Sequence, residues 1–282
     1  MKELDDYINQ TQNLPPAPRV LPELLALLNH PDSDSRRVVN LIQVDPSLTA
    51  QVLRASNSVF YAGATPTLDL REAVSRLGFS TIGQIVAAAT GSRALGRSQK
   101  GYGLDEGELW QHSVTSAVAA QVIARDCGLD QSLAFTAALL HDLGKIVLSG
   151  ALEQRYEDLV SSVEQQQQSL VEAEQRLLGV NHAEVGGRLL ARWKFPAPLV
   201  TAVWFHHQPK SAAPHGRLAS CVYLANMIAY FLGRGYGRSA FALRGREEAL
   251  TLLDVSADRI PHYMIETHAR FTEVEALFSI RS

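Results

Sequence analysis

The sequence predicts an all-α protein built from two packed helical subdomains. In the segment 70–77 the apolar residues fall at helical spacing, and Gly78 follows them, as is typical of a helix C-terminus. Asp45 followed by Pro46 is a strong helix start, since a capping carboxylate precedes a proline at the first helical position. No stretch alternates apolar and polar residues strongly enough to predict a strand.

The N-terminal subdomain, residues 1–100, contains a series of helix starts after a proline-rich entry. Pro15, Pro16 and Pro18 predict a rigid, extended segment because proline fixes its own backbone angle. Helices are then predicted to start at Pro22, at Asp34 or Ser35, at Asp45, at Leu70 and, with Ser80 as a cap, after Gly78.

A glycine-rich, polar stretch at residues 96–107 separates this subdomain from a second one, residues 101–240. The second subdomain has helical spacing near residues 108–127, 131–140, 154–178, 182–193, 199–206 and 218–232. A helical segment at 247–280 dominates a C-terminal extension, residues 241–282.

Composition and charge favour a cytoplasmic globular protein. The 282 residues are 46% hydrophobic, which is ordinary for a soluble protein with a good core. A net charge of -3 argues against a nucleic-acid binder, which would usually be strongly basic. Cys127 and Cys221 stand in no motif, so no disulfide framework is expected. The N-terminus is polar, and no uninterrupted apolar run approaches the roughly 20 residues of a membrane span.

Several polar residues at helix ends are suited to a metal site. The adjacent pair His141 and Asp142 closes an apolar helical run, where an imidazole and a carboxylate can reach one divalent cation. Glu108 and His112 are four residues apart and therefore lie on one helix face. Lys145 follows closely enough to meet an anion near the pair.

Three more histidines extend this set. His182 falls in the first turn of a helix that Asn181 and Glu184 start as a capping box, and the helix dipole there favours the neutral ring. His206 and His207 end another apolar run. Any one histidine is more often a hydrogen-bonded core or surface residue. Their joint occurrence is less easily explained in that way, and a shared metal site stands beside the structural reading as an open alternative. Mixed histidine and carboxylate ligands favour iron, manganese or zinc over calcium.

The motifs around these histidines resemble the HD superfamily of phosphohydrolases. They read WQHS at 110–113, LLHDLGK at 139–145, NHAEVGGRLLARW at 181–193 and FHHQP at 205–209. In the N-terminal half, LPPAPRVLPELLALL, VDPSLTAQVLRASNSVFY and AVSRLGF resemble the HDOD family, the HD-related output domain of bacterial signalling proteins. The resemblance covers residues 14–232 and implies that the second subdomain is an HD-type helical bundle.

The resemblance also implies roles for individual residues. His112, His141 and Asp142 match metal ligands of HD phosphohydrolases. The extra histidines of the HD-GYP phosphodiesterases, which build a two-metal centre and cleave cyclic di-GMP, match His182, His206 and His207. Glu108 matches a carboxylate ligand of some of those enzymes, and Lys145 matches a contact to substrate phosphate.

Two departures from the HD pattern bear on catalysis. Asn226 stands where the family has its last metal-binding aspartate, and no aspartate occurs between Asp158 and Asp254. An amide oxygen can coordinate a cation, but it brings no charge and accepts no proton, so the water on a metal would be less activated. The Gly-Tyr-Pro signature of the phosphodiesterases is absent after His207.

These departures favour a signal-transduction module that acts through a signalling protein partner. Its degenerate HD pocket would hold a divalent transition metal (iron, manganese or zinc) or be an empty relic. The alternative is a metal-dependent phosphohydrolase acting on a nucleotide or cyclic dinucleotide, with Lys145 steadying the phosphate. A third hypothesis, between these two, is a sensor that binds such a nucleotide without cleaving it. Neither a membrane nor a nucleic acid is expected as a partner.

Overall fold

The computed structural model of the chain is all-α, as predicted. It describes residues 4–10, 20–28, 34–58, 61, 63, 66–165, 168–234 and 246–278. Within these ranges there is no strand, and an isolated bridge pairs Gln99 with Leu104. The predicted extended entry at Pro15, Pro16 and Pro18 lies outside the described residues.

Five helices precede the second subdomain in the described residues, and three of them pack around the last and longest one. They are α1 (Leu4–Gln10), α2 (Val20–Leu28), α3 (Ser35–Gln43), α4 (Pro46–Ser56) and α5 (Leu70–Leu95). The helices α2, α3 and α4 each contact α5. Asp34 and Asp45 accept hydrogen bonds from backbone amides at the starts of α3 and α4, so both predicted caps are confirmed.

The predicted helix end at Gly78 is a kink inside α5. Gly78 has φ 75° and ψ 162°, a backbone conformation that residues with a side chain rarely adopt. The hydroxyl of Ser80 lies 2.9 Å from that of Ser132, a contact that joins α5 to the second subdomain.

The second subdomain consists of α6 to α13, and α14 and α15 follow. These helices are α6 (Glu108–Asp126), α7 (Gln131–Leu140), α8 (Gly144–Leu152), α9 (Tyr156–Glu164), α10 (Leu170–Leu178), α11 (His182–Arg192), α12 (Ala197–Trp204), α13 (Gly216–Phe231), α14 (Arg246–Leu253) and α15 (Ile260–Phe278).

One predicted helix, 154–178, is wrong, because the structure divides it into α9 and α10. Ser169 accepts a hydrogen bond from the Glu172 amide, and the Glu172 carboxylate accepts one from the Ser169 amide. This capping box starts a new helix and satisfies amides that an uninterrupted helix would pair internally.

The core of the second subdomain is formed by α6 and α13, both buried over most of their length. They pack against each other, and both also contact α7. Helices α14 and α15 cover α13 and α6, and the Tyr263 hydroxyl donates a 2.6 Å hydrogen bond to Asp126 at the end of α6.

By its length and average composition, the segment Gln131–Val163 could span a membrane. It was not singled out in the sequence analysis, which looked for an uninterrupted apolar run. In the fold, 89% of its most apolar window is buried inside the protein. Packing in the core therefore accounts for its apolar character.

The glycine-rich stretch between α5 and α6 folds back onto α8. It forms a 3-10 turn, Lys100–Tyr102, and the Gly101 amide donates a 3.2 Å hydrogen bond to Ser149 Oγ. A Cβ at Gly101 would lie 2.1 Å from the Ser149 carbonyl oxygen, so this approach requires glycine. As a result, Tyr102 is buried, and its hydroxyl donates a hydrogen bond to Glu174 on α10.

Candidate metal centre

The structure brings six of the predicted site residues into two adjacent groups. The first group is His112, His141 and Asp142, and the second group is His182, His206 and His207. Within each group the possible ligand atoms lie within 4.8 Å of one another. All six are buried except His207, which is half-buried.

The first group joins α6 to the turn after α7. The Nε2 atoms of His112 and His141 lie 3.6 and 3.4 Å from Asp142 Oδ2. All three side chains are at most 1% exposed. One carboxylate oxygen and two imidazole nitrogens therefore face a common point.

The second group joins the N-terminus of α11 to the turn after α12. The capping box of Asn181 and Glu184 starts α11, as predicted, and places His182 in its first turn. His182 Nε2 lies 3.0 Å from His207 Nε2. It also lies 3.3 Å from Asp142 Oδ1, so Asp142 bridges the two groups.

Hydrogen bonds fix which nitrogen of each buried ring carries the proton. The Nδ1 atoms of His112, His141 and His206 lie 2.9, 2.6 and 2.7 Å from backbone carbonyl oxygens, which only accept. Each Nδ1 must therefore donate, and each neutral ring presents a lone pair on Nε2. A metal ligand requires this arrangement.

The orphaned nitrogens fit a metal ion. Among the described residues, the buried Nε2 atoms of His141 and His206 have no hydrogen-bond partner. Buried polar atoms are rarely left unsatisfied, because the lost solvation costs about 1–3 kcal/mol. Two lone pairs directed into one polar cluster are the donors that a transition metal takes.

Burial keeps the rings neutral. It lowers the pKa of His112 to about 3 and also lowers the pKa of His141. The pKa values of His206 and His207 fall well below the usual range, first through burial and then through a neighbouring ring. These four imidazoles are therefore unprotonated at neutral pH and available as ligands.

Asp142 and Lys145 form a buried ion pair within the first group. Burial alone would raise the pKa of Asp142, but the charged ammonium of Lys145 beside it holds that pKa well below its ordinary value. Lys145 Nζ donates a 2.7 Å hydrogen bond to Asp142 Oδ2, and this partner raises the lysine pKa despite burial. The predicted phosphate-binding lysine is thus engaged with the bridging carboxylate.

Two residues that the sequence analysis missed complete the surroundings of His182. The carboxylate of Glu174, which is 0% exposed, lies 2.7 Å from His182 Nδ1 and accepts a 2.7 Å hydrogen bond from the Tyr102 hydroxyl. A signal for Glu174 was present, because it falls on the apolar face of α10 with Leu170 and Leu178. A charged residue on such a face indicates a buried polar contact.

The two further candidate ligands lie in different surroundings. Glu108 is exposed and accepts a 2.8 Å hydrogen bond from the Asp105 amide at the start of α6, and it belongs to neither group. Asn226 is buried, and its Oδ1 has no hydrogen-bond partner among the described residues. One turn further along α13, the ring of Tyr230 lies 4.9 Å from that of His112.

Comparisons with known proteins agree with this architecture. The family model for the HDOD domain matches residues 14–209. A crystal structure from Shewanella amazonensis SB2B, provisionally assigned as a phosphohydrolase, is 26% identical with a TM-score of 0.72, covering 96% of this chain and 97% of that one. A structure from Marinobacter aquaeolei VT8, provisionally assigned to signal transduction, is 24% identical with a TM-score of 0.75, covering 99% and 61%.

A curated relative from Treponema pallidum (strain Nichols), described as an uncharacterized protein, is 28% identical over 231 residues. The match covers 79% of this chain but only 44% of that relative.

Proposed function

Because the chain belongs to the HDOD domain family, we propose that it is a signal-transduction module whose buried histidine centre binds a divalent transition metal. One observation carries the metal part of this proposal. The rings of His112, His141 and His206 all donate through Nδ1 and direct Nε2 into the cluster. Carbonyl-anchored imidazoles around a carboxylate are the arrangement in which proteins hold such ions.

The donor set favours iron, manganese or zinc. Five imidazoles and the Asp142 carboxylate supply mostly nitrogen, whereas calcium and magnesium prefer oxygen ligands. The first group would use His112, His141 and Asp142, and the second would use His182, His206 and His207. A metal held there would supply Lewis acidity and a lowered pKa for bound water.

Two features argue that this centre serves binding rather than efficient catalysis. Asn226 adds no negative charge where related phosphohydrolases have an aspartate. The ammonium of Lys145 lies 2.7 Å from Asp142, so the only carboxylate among the six candidate ligands already has a cation beside it. Both features lower the charge available to hold a metal and to activate water.

The output of such a module would be an interaction with a signalling protein in the cytoplasm. In this proposal the occupancy of the centre, or of a nucleotide or cyclic dinucleotide beside it, changes the state that the partner recognises. Half-buried His207 marks the side from which solvent or a ligand approaches the second group.

Elemental analysis of tag-free protein purified without chelators tests the metal. We expect near-stoichiometric iron, manganese or zinc. A protein carrying both His141→Ala and His206→Ala, one change in each group, should lose it. His268→Ala removes an exposed histidine and is the matched control. Metal-free wild-type protein with an unchanged fold would contradict the proposal.

A second experiment separates binding from catalysis. In Asn226→Asp we expect roughly tenfold tighter metal binding, about 1.4 kcal/mol, since a carboxylate would replace a buried neutral amide one helical turn from Tyr230, whose ring packs against His112. Hydrolysis of bis(p-nitrophenyl) phosphate should appear in this variant and be negligible in the wild type. Asn40→Asp, at an exposed position, is the control for the added charge.

The alternative function, a metal-dependent phosphohydrolase, is favoured by the likeness to the provisionally assigned Shewanella phosphohydrolase over nearly the whole chain. It requires Lys145 to leave Asp142 and contact a substrate phosphate. Brisk turnover of cyclic di-GMP by clean, metal-loaded wild-type protein, lost in Lys145→Met, would establish this function and overturn the binding module.

A further inference from the structure

We infer that Glu174 and Tyr102 are positioning residues that fix the ring of His182 and make the second group the first to take a metal ion. The inference deepens the proposed function and rests on the metal centre. It starts from the contacts of one carboxylate that contributes no ligand to either group.

Glu174 holds both the backbone and the ring of His182. Its Oε2 accepts hydrogen bonds from the His182 amide at 2.9 Å and from His182 Nδ1 at 2.7 Å. A carboxylate at this position only accepts, so His182 Nδ1 carries the proton and Nε2 keeps its lone pair. Two bonds to one residue leave the imidazole little freedom to turn away from His207 and Asp142.

The acceptor for His182 differs in charge from those of the other anchored rings. His112, His141 and His206 donate to neutral carbonyl groups, whereas His182 donates to an anion. Hydrogen bonds to a charged acceptor are roughly twice as strong as neutral ones. A carboxylate partner also raises the basicity of the ligating nitrogen, which strengthens its bond to a metal.

Tyr102 keeps Glu174 in place. Its buried hydroxyl donates a 2.7 Å hydrogen bond to Glu174 Oε1, the oxygen that the His182 amide does not use. Tyr102 is carried by the turn between α5 and α6, and the bond from Gly101 to Ser149 holds that turn against α8. The stretch that joins the two subdomains thereby reaches the surroundings of the centre.

The two groups consequently differ in the charge that an entering metal ion would meet. The first group contains the ammonium of Lys145 on Asp142 Oδ2, the oxygen that His112 and His141 face. A metal ion that binds there must share Asp142 with that ammonium or displace the ammonium. The second group has the anion Glu174 behind one of its rings. Electrostatics therefore favour entry of the first metal equivalent at His182, His206 and His207.

Titration of EDTA-stripped protein with Co²⁺, followed by visible absorption, tests this order. We expect His206→Ala to abolish the tighter binding step and His141→Ala to spare it.

Glu174→Gln should weaken the tighter step by about 10- to 100-fold, as loss of such an outer partner typically does. Tyr102→Phe should weaken it less, and Glu157→Gln, an exposed change of the same kind, should leave it unaltered.

The protonation of the His182 ring gives a readout that needs no metal. In ¹⁵N-NMR spectra of the stripped wild type we expect the Nδ1–H form, and in Glu174→Gln and Tyr102→Phe a mixture of forms. If wild-type protein binds no Co²⁺, the metal centre fails, and the positioning role stands or falls on these spectra.

An Nε2–H ring in the wild type would overturn the inference, as would Co²⁺ binding that is unchanged in Glu174→Gln. If Glu174→Gln does not fold, the Co²⁺ titration and the ¹⁵N-NMR spectra of Tyr102→Phe test the inference instead. Wild-type affinity together with a wild-type ring form in that variant would also overturn it.

Discussion

At the scale of single residues, the candidate centre depends on charge that is buried and balanced. Asp142 and Glu174 are the buried carboxylates around the histidines, and Lys145 supplies one compensating cation. Each carboxylate accepts hydrogen bonds or faces imidazole nitrogens, because an isolated buried charge would cost several kcal/mol. A divalent cation would complete the balance with the remaining lone pairs.

The buried histidines predict an unusual sensitivity to mild acid. The pKa of His112 is about 3 in the folded protein, below the usual value near 6.5, so protons bind preferentially to the unfolded chain as the pH falls. His141 and His206 are shifted in the same direction by burial. Their contribution to stability is complete above about pH 6.5 and is lost as the pH falls toward the folded pKa.

We expect the free energy of unfolding of stripped protein to fall by about 1.4 kcal/mol per pH unit and per shifted histidine below pH 6.5. Urea denaturation between pH 7.5 and 5 measures this slope. His112→Gln should reduce the slope, whereas His268→Ala, at an exposed position, should not. A flat profile down to pH 5 would contradict neutral, buried rings.

At the scale of elements, the centre requires α8 and α11 to meet backbone to backbone. A Cβ at Gly144 would lie 1.9 Å from the His182 carbonyl oxygen and 2.8 Å from the Gly186 amide nitrogen. This close approach places the turn with Asp142 next to the first turn of α11. Glycine at the start of α8 is therefore a condition for the contact between Asp142 and His182.

Gly144→Ala is expected to destabilise the fold by about 1–3 kcal/mol, because the methyl group must push the two helices apart. It should also weaken metal binding, since Asp142 would move away from His182. Gly150→Ala, on the exposed face of the same helix with nothing within 4 Å of the new methyl, should be neutral or stabilising. Thermal unfolding and Co²⁺ titration of the pair measure both effects. Equal stability of the two variants would refute the close contact.

At the scale of the whole molecule, the C-terminal helices connect to the centre through Arg234. The carbonyl of Arg234 accepts the hydrogen bond from His112 Nδ1, and its guanidinium lies 4.9 Å from the ring centroid of Phe271 on α15. Phe271 itself is 5% exposed. The position of α15 therefore influences the anchor of a candidate ligand in the first group.

Phe271→Ala is expected to cost about 3–5 kcal/mol of stability, the usual range for a buried phenylalanine. It should also weaken Co²⁺ binding at the first group more than at the second, because His112 loses a fixed acceptor. Ile265→Ala on the same helix, where the side chain is 72% exposed, should stay within about 0.5 kcal/mol of the wild type. Equal effects on both groups would argue against this link.

Local signals in the sequence sufficed for the fold class and many element boundaries. The caps at Asp34, Asp45 and Asn181 involve neighbours within a few residues, so the sequence alone could predict them. Gly78 was predicted as a helix end and is a kink within α5. The predicted helix 154–178 was wrong because its apolar spacing continued across a break that Ser169 caps.

The identity of the candidate ligands was also available from the sequence, through the resemblance of short motifs to the HD superfamily. What it could not provide was the partner of each ring. The acceptor Arg234 lies 122 residues from His112, and the acceptor Glu174 lies 8 residues from His182, in the preceding helix. The donor Tyr102 lies 72 residues from Glu174, which it holds in place. Tyr102 in particular belonged to a stretch that composition marked as a break.

By itself, therefore, the sequence determined an all-α chain of the HDOD type and the residue types that meet at its centre. Only the tertiary structure decided which nitrogen each ring presents, that Lys145 binds Asp142, and that exposed Glu108 accepts from the Asp105 amide and belongs to neither group. The physical reason is the distance along the chain over which each kind of interaction acts. Capping and helical periodicity act over a few residues, whereas burial and the pairing of charges depend on which distant segments pack together.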